Sequence, residues 1–478
     1  MTSAAHAQTV GSDAAVGSLS APIAVVTISL LLPVILYSGN VAPIGRLLYP
    51  ECNVALAGYL FARRSPWYTG HCLLVFCFVS LARRLIDSQA GWDPANPVLL
   101  TPYLCCAFTA VSFVGYWYRS YPRYIGPILV ILCCTVYGLM LAIVHERTVA
   151  GLADLLKWSV GPLFAVHVLA NRDQLPQVRR ILEAALVYAG TAIAAYGIYQ
   201  YISPPRWDVD WVNGVQDLGM TSVGQPEPFS LRVFSTLNSP GSLGAMLSAG
   251  IIVAGKRSLP VAIPTISLLA VGLALCQYRA IWAATVLAVL MIVVARPKVL
   301  KPANILAVLA VGAALSSTAL IPAMREALVQ RASSLAALEG DESLEDRLMQ
   351  YRGLAHDDEL VVGVGLGRNG TVRKLDGLPP VVIDSGLIDI WQSMGVVLGS
   401  LFLAAIVTLV LPLFTEKSTQ PYDLAFDRAI TVATFAQLPM GSVHIGELGF
   451  CGWLFLALGI AGLTPAAAIK YPSVVSST

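Results

Sequence analysis

The sequence predicts an all-α integral membrane protein of about 14 transmembrane helices with one large periplasmic loop. Three observations lead there. Hydrophobic residues make up 56% of the 478 and charged residues only 12%, about half the ~25% of a soluble chain, and the mean hydropathy is +0.71. Apolar runs near the roughly 20 residues that a span requires recur along the whole length. Short connections rich in Arg and Lys separate them in a pattern that places every such connection on one face.

Taken in order, spans are expected at 21–38, 43–62, 67–85, 98–116, 123–144, 151–171, 180–200, 234–255, 259–277, 280–296, 303–322, 382–412, 427–444 and 447–466. Arg46 and Glu51 interrupt the second. The run 382–412 is too long for one upright span, so it tilts or begins outside the membrane. Orientation follows the basic short loops: Arg63 and Arg64; Arg119 and Arg123; Arg172, Arg179 and Arg180; Lys256 and Arg257; Arg296, Lys298 and Lys301. All fall on the cytoplasmic face if both termini do. The expected organisation is a cytoplasmic tail at 1–20, N-terminal helices at 21–200, a periplasmic loop at 201–233 and central helices at 234–322. A large periplasmic loop at 323–381, C-terminal helices at 382–466 and a tail at 467–478 complete it. The first 20 residues lack the basic start of a signal peptide.

Several function classes fall away. A net charge of +2 gives no reason to expect nucleic acid as a partner. No cytoplasmic connection is long enough for a nucleotide-binding domain, and no Walker A sequence occurs. The nine cysteines lie almost all in apolar runs, without metal-ligand spacing, and read as small apolar residues. No metal and no cofactor is expected.

The residues that can carry chemistry gather at the outer face. Arg279 stands alone between Ser258–Gln277 and Ala280–Ala295, which places it at the membrane boundary in the first turn of the second run. A guanidinium beside hydrocarbon marks a substrate path or an anion site, or snorkels to lipid phosphate. Arg232 closes the outer loop before Leu231–Gly244, where Asn238 or Ser239 suits an N-cap and Pro240 the first helical turn. Both arginines then stand beside helix starts whose free N–H groups point outward, a favourable place for an anion.

In the large loop, Ser343–Asp346 resembles a capping box that would start a helix presenting Leu344, Leu348 and Tyr351 on one face. Arg347 and Arg352 lie roughly 140° apart on it, so one is expected toward a substrate, and His356 ends the helix. Gly363, Gly365 and Gly367 allow either an anion-binding nest or a plain turn. Asp384 and Ser385 precede a long helix, so Asp384 is an N-cap or a carboxylate base, and Asp389 points elsewhere. His444 and Glu447 are interfacial polar residues or a second base site.

Four stretches, in order, resemble the O-antigen ligase and O-antigen polymerase superfamily. RVFSTLNSPGSLGAML is similar to its R-x-x-x-T-x-x-N-P-N helix start, and CQYRAIWAATVLAVLMIV to its S-R-G-A-W helix. RLMQYRGLAHDDELVVGVGLG resembles its outer-loop helix with P-x-x-G-x-G, and DSGLIDIWQSMGVVLGSL its H-N-x-x-L helix. The likeness covers about 180–412. It implies a C-type glycosyltransferase fold in the bacterial inner membrane, transferring glycan from an undecaprenyl-diphosphate carrier at the periplasmic side without nucleotide or metal.

The resemblance puts Arg232 and Arg279 at the diphosphate-binding arginines, and leaves Arg347, Arg352, His356 and Gly365 as expected substrate contacts. Asp384 takes the place where ligases carry His, which favours an exopolysaccharide or O-antigen polymerase over a ligase. Asn238-Ser239-Pro240 also departs from Asn-Pro-Asn. The implied partners are lipid-linked glycan donor and acceptor, the lipid bilayer and a polysaccharide chain-length regulator. A lipid-linked glycan flippase or transporter is the alternative of another class.

Overall fold

The structure, a computed structural model, describes residues 21–93, 96–117, 122–217, 222–295, 342–354, 360–381, 383 and 385–463. Both expected tails and the span at 303–322 lie outside them. Among the described residues every regular element is a helix, and strand pairing is limited to three isolated bridges. Seven helices are long and apolar enough to cross a membrane, and four more are apolar but only 15–17 residues long. The chain is thus an all-helical, multi-pass integral membrane protein.

The N-terminal part comprises α1 (Ala21–Ser38), α2 (Gly45–Ala62), α3 (Trp67–Ala90), α4 (Thr101–Ala107), α5 (Thr109–Trp117), α6 (Pro122–Val144), α7 (Thr148–Ala170) and α8 (Leu175–Ile202). Four differences from expectation have visible causes. The interrupted second span does form a helix, because Arg46 reaches across to cap α3, its Nη2 donating to the Gly91 carbonyl at 2.6 Å. The third span runs on past Leu85 to Ala90, since Arg83, Arg84 and Asp87 around that point are buried in partnerships rather than left in lipid. The fourth is split between α4 and α5 at Phe108. The outer loop after α8 also holds a helix, α9 (Arg206–Gln216), which tucks Trp211, Val212 and Val215 against Phe234.

The C-terminal part holds α10 (Pro240–Ala254), α11 (Leu259–Leu275), α12 (Arg279–Ala295), α13 (Glu342–Leu354), α14 (Gly386–Val410), α15 (Pro421–Phe435) and α16 (Gly446–Ala461). The span expected from 234 starts only at Pro240, capped by Ser239, whose side chain accepts from the Ser242 N–H. Residues 233–239 stay non-helical, turning at Ser235 (φ +54°), and 233–237 are buried. α13 is already helical at Glu342, so Ser343 lies inside it rather than at its cap. α15 ends at Phe435, before the turn that carries Pro439 and Gly441, instead of running to 444.

The long run 382–412 is broken rather than simply tilted. Gly395 adopts φ +77°, and the helix changes course there. The break frees the carbonyls of Gln392 and Ser393, which accept from the N–H groups of Val364 and Gly365 at 2.8 and 3.1 Å. Leu366 N–H donates to the Gly138 carbonyl at 2.9 Å, and Gly367 N–H to Asp154 Oδ2 at 2.9 Å. The glycine stretch is therefore neither a nest nor a plain turn. Its N–H groups from 364 to 367 are all used inside the protein, and Gly365 serves close packing rather than an anion.

Three of the five basic connections converge on one end, whereas Arg119, Arg296, Lys298, Lys301 and the Arg123 side chain lie outside what is described. Gln174 donates to the Arg64 carbonyl at 3.0 Å, Arg172 to those of Ala461 and Leu463, and Arg179 grips Asp427 through two bonds of 2.7 Å. Lys256 joins Glu183 to Asp423 beside them.

Gly365→Ala tests the close packing. An added Cβ would lie 2.4 Å from the Ala142 nitrogen, at a φ of +87°. We expect a loss of about 2–4 kcal/mol in detergent-solubilised thermal unfolding. Gly377→Ala, at φ +73° but with open space around it, should cost only about 1–2 kcal/mol. Equal losses would mean that the packing around Gly365 contributes nothing.

Candidate functional site

At the end opposite the basic connections, the chain between α11 and α12 turns sharply, with Gln277 at φ +51°. Arg279 is the first residue of α12 and is half-buried. Val233 N–H donates to the Leu275 carbonyl at 3.2 Å, and Arg232 Nη2 to the Gln277 carbonyl at 3.3 Å. Arg232 Nη1 holds the Ser222 carbonyl at 2.8 Å. The stretches carrying Arg232 and Arg279 are thus laced together at one end of the bundle.

A short turn, Leu438–Gly441, draws in the other candidate stretches. Tyr278, beside Arg279, donates to the Met440 carbonyl at 2.8 Å. Tyr351 of α13 donates to the neighbouring Pro439 carbonyl at 3.3 Å and lies 2.6 Å from Ser385 Oγ, the N-cap of α14. Gly386 lets the turn lie flush, since a Cβ there would meet the Gly441 carbonyl at 2.6 Å. On α13 Tyr351 makes these contacts and Leu354 is buried, whereas Leu348, on the same predicted face as Tyr351, is exposed. Arg352 projects exposed from α13. Arg347 lies on the same helix, with its side chain outside what is described, as are His356 and Asp384. Gly365 sits apart, buried between α6 and α14.

The expectation of two helix starts open to an anion needs correction. The start of α10 is met from inside by Glu447 of α16, which is hydrogen-bonded to Ser242, the Asn238 backbone and Ser80. An internal carboxylate already answers that positive end. The start of α12, with Arg279, remains the candidate.

Sequence reasoning missed the groups that hold this corner. Arg84 of α3 is buried and paired with Asp208 of α9 at 2.9 Å. It donates to the carbonyls of Leu237, at 2.9 Å, and Ser235, and its guanidinium lies 4.8 Å from the centre of the Phe234 ring. Gln200 of α8 completes the network. Its oxygen accepts from the N–H of Phe234 and Ser235 at 3.2 and 2.8 Å, and its nitrogen donates to Asp208 at 2.6 Å. Burial pushes the Asp208 carboxyl up while Arg84 pulls it down. A pair of arginines inside an apolar helix was the available signal, because ionisable groups there are expensive unless partnered.

Beneath the turn, Asp389 is buried and accepts from Asn369 at 2.9 Å and Ser442 at 3.2 Å, with His444 Nε2 at 3.6 Å. Burial pushes His444 down to about 3, so this approach involves a neutral imidazole and not an ion pair.

Together these features define a membrane-spanning helical bundle with polar and charged networks at both ends. No protein-family model, curated protein or solved structure matches the chain.

Two predictions follow from the buried groups. Asp208→Ala leaves Arg84 charged and unpaired in the interior and should cost about 3–5 kcal/mol; thermal unfolding within 1 kcal/mol or so of wild type would show the pair to be dispensable. His444 binds a proton more readily unfolded than folded, so stability falls as pH drops below about 6.5 and goes on falling toward its folded value of about 3. His444→Gln should flatten that slope in detergent melts compared across this range.

Proposed function

We propose that the protein polymerises undecaprenyl-diphosphate-linked oligosaccharide repeat units into exopolysaccharide or O-antigen. In this reading it has the C-type glycosyltransferase architecture of about 14 spans, sits in the bacterial inner membrane and works at the periplasmic face. The observation that carries the reading is the convergence at one corner. Arg232 binds the carbonyl two residues before Arg279, and the turn 438–441 joins Tyr278, Tyr351 and Ser385, the neighbours of Arg279, Arg352 and Asp384.

The chemistry is an inverting transfer that needs no metal. The acceptor hydroxyl attacks the anomeric carbon from the face opposite the carrier. A new C–O bond forms, the bond to the diphosphate breaks, and undecaprenyl diphosphate leaves with the electron pair. Arg232 and Arg279 stabilise the charge growing on that leaving group, in surroundings where water screens little. Asp384 takes the hydroxyl proton. In this reading α13, tied by Tyr351 to the turn 438–441, helps to keep out water that would hydrolyse the donor.

A ligase would use the same corner, and the carboxylate Asp384 in place of a histidine argues for the polymerase. A transporter is less well supported. The buried charges Arg84, Asp154, Asp389 and Glu447 lie within about two turns of helix ends, whereas transporter sites sit near the midplane.

Arg279→Ala is expected to lower polymerisation by about 10²–10³, and Arg279→Lys to restore little if a two-point grip on phosphate matters. Polymer length in cells is the readout. Single repeat units on a gel support polymerisation, long carrier-bound chains indicate ligation, and wild-type polymer from the Ala variant removes Arg279 from the mechanism.

A further inference from the structure

At the basic end, remote from the corner above, the bundle contains a cavity of about 730 Å³. That lies within the range of small-molecule pockets, roughly 300–1,000 Å³. The end of α2, the start of α3, α5 and the turn between α7 and α8 enclose it.

Two kinds of surface meet inside. One wall is aromatic: the rings of Phe61 and Tyr68 stand 5.6 and 5.0 Å from that of His167. This wall continues along α5 past Val111, which is 63% exposed on the outside of the bundle, to Gly115, where no atom of the described residues lies within 4 Å of the position a Cβ would take. An apolar path therefore leads from the cavity to the bilayer.

The rim is basic. Arg172 is fixed by Nε and Nη2, which donate to the Ala461 carbonyl at 3.1 and 2.7 Å, while its Nη1 makes no hydrogen bond among the described residues. Arg64 is exposed in a left-handed turn at φ +50°, tied by its carbonyl to Gln174 Nε2 at 3.0 Å. Its guanidinium has no carboxylate partner among the described residues. Asp173 also lines the cavity, so the two arginines leave one positive charge in excess (+2 − 1 = +1).

We propose that this cavity binds the phosphate headgroup of an anionic lipid. Arg64 and Arg172 contact the phosphate, and the lipid chain leaves along Val111 and Gly115. Guanidinium is suited to phosphate because its N–H groups match two oxygens at once. The aromatic wall suits the region between headgroup and hydrocarbon. An anionic phospholipid and a polyprenyl phosphate share this chemistry, a phosphate on an apolar chain. The assignment is independent of the proposed glycosyl transfer at the other end.

The test uses the full chain in detergent, titrated with phosphatidylglycerol, phosphatidylcholine and undecaprenyl phosphate while the melting temperature is followed. An anionic lipid should raise it and phosphatidylcholine should not. Arg64→Ala should weaken the anionic lipid roughly tenfold or more, and Gly115→Phe, filling the exit, should do the same. Stronger stabilisation by undecaprenyl phosphate names the carrier as the source, and equal or stronger stabilisation by phosphatidylglycerol names bulk lipid. Among the described residues the Arg64 side chain holds nothing in the fold, so its variant decides the matter if Gly115→Phe does not fold. Equal response to phosphatidylcholine, or a titration unchanged by Arg64→Ala, overturns the proposal.

Discussion

Backbone N–H and C=O groups find no partners in hydrocarbon, so any departure from helix inside a membrane must be satisfied by the protein itself. Two such departures organise this fold, and each is closed by a neighbour distant in sequence. The non-helical segment 233–239 is gripped by Arg84 and Gln200, which Asp208 joins. The break at Gly395 is closed by the N–H groups of the glycine stretch. Remove either closure and unsatisfied groups are left in the interior at a cost of roughly 1–3 kcal/mol each.

The first closure also sets the candidate site. Holding 233–239 against α3 and α8 fixes where Arg232 emerges, and Val233 then pairs with the last turn of α11, which brings Arg232 beside the stretch leading to Arg279. Glu447 answers the positive end of α10 within the same framework. The two helix starts that look equivalent in sequence therefore end up with different roles: one is neutralised from inside, and the other keeps an arginine at the boundary.

The two ends of the bundle use charge differently. The basic end is locked by ion pairs that join distant helices, Arg179 with Asp427 and Lys256 with Glu183 and Asp423. The other end combines the buried Arg84–Asp208 pair with neutral contacts, in which tyrosine hydroxyls and backbone carbonyls meet at the turn 438–441. Hydroxyl contacts of this kind are worth about 1 kcal/mol each, less than breaking a buried ion pair costs. The hydroxyl contacts to the turn 438–441 therefore part with less penalty than the buried ion pairs.

Hydropathy and the placement of arginines determined a good deal by themselves. The helical, multi-pass class, most helix positions, the Ser239–Pro240 start of α10 and the place of Arg279 in the first turn of α12 were legible. Each depends on residues near in sequence, through apolar length, capping and proline geometry. The early end assigned to α3, the missed helix α9 and the break at Gly395 could not be read in this way. Arg84 looks like the end of a span until Asp208, more than 100 residues on, neutralises it, and Gly365 looks like a loop glycine until α6 and α14 close on it. Only the tertiary structure decided those, because what a buried charge or a freed carbonyl costs depends on the partner that the folded chain brings to it.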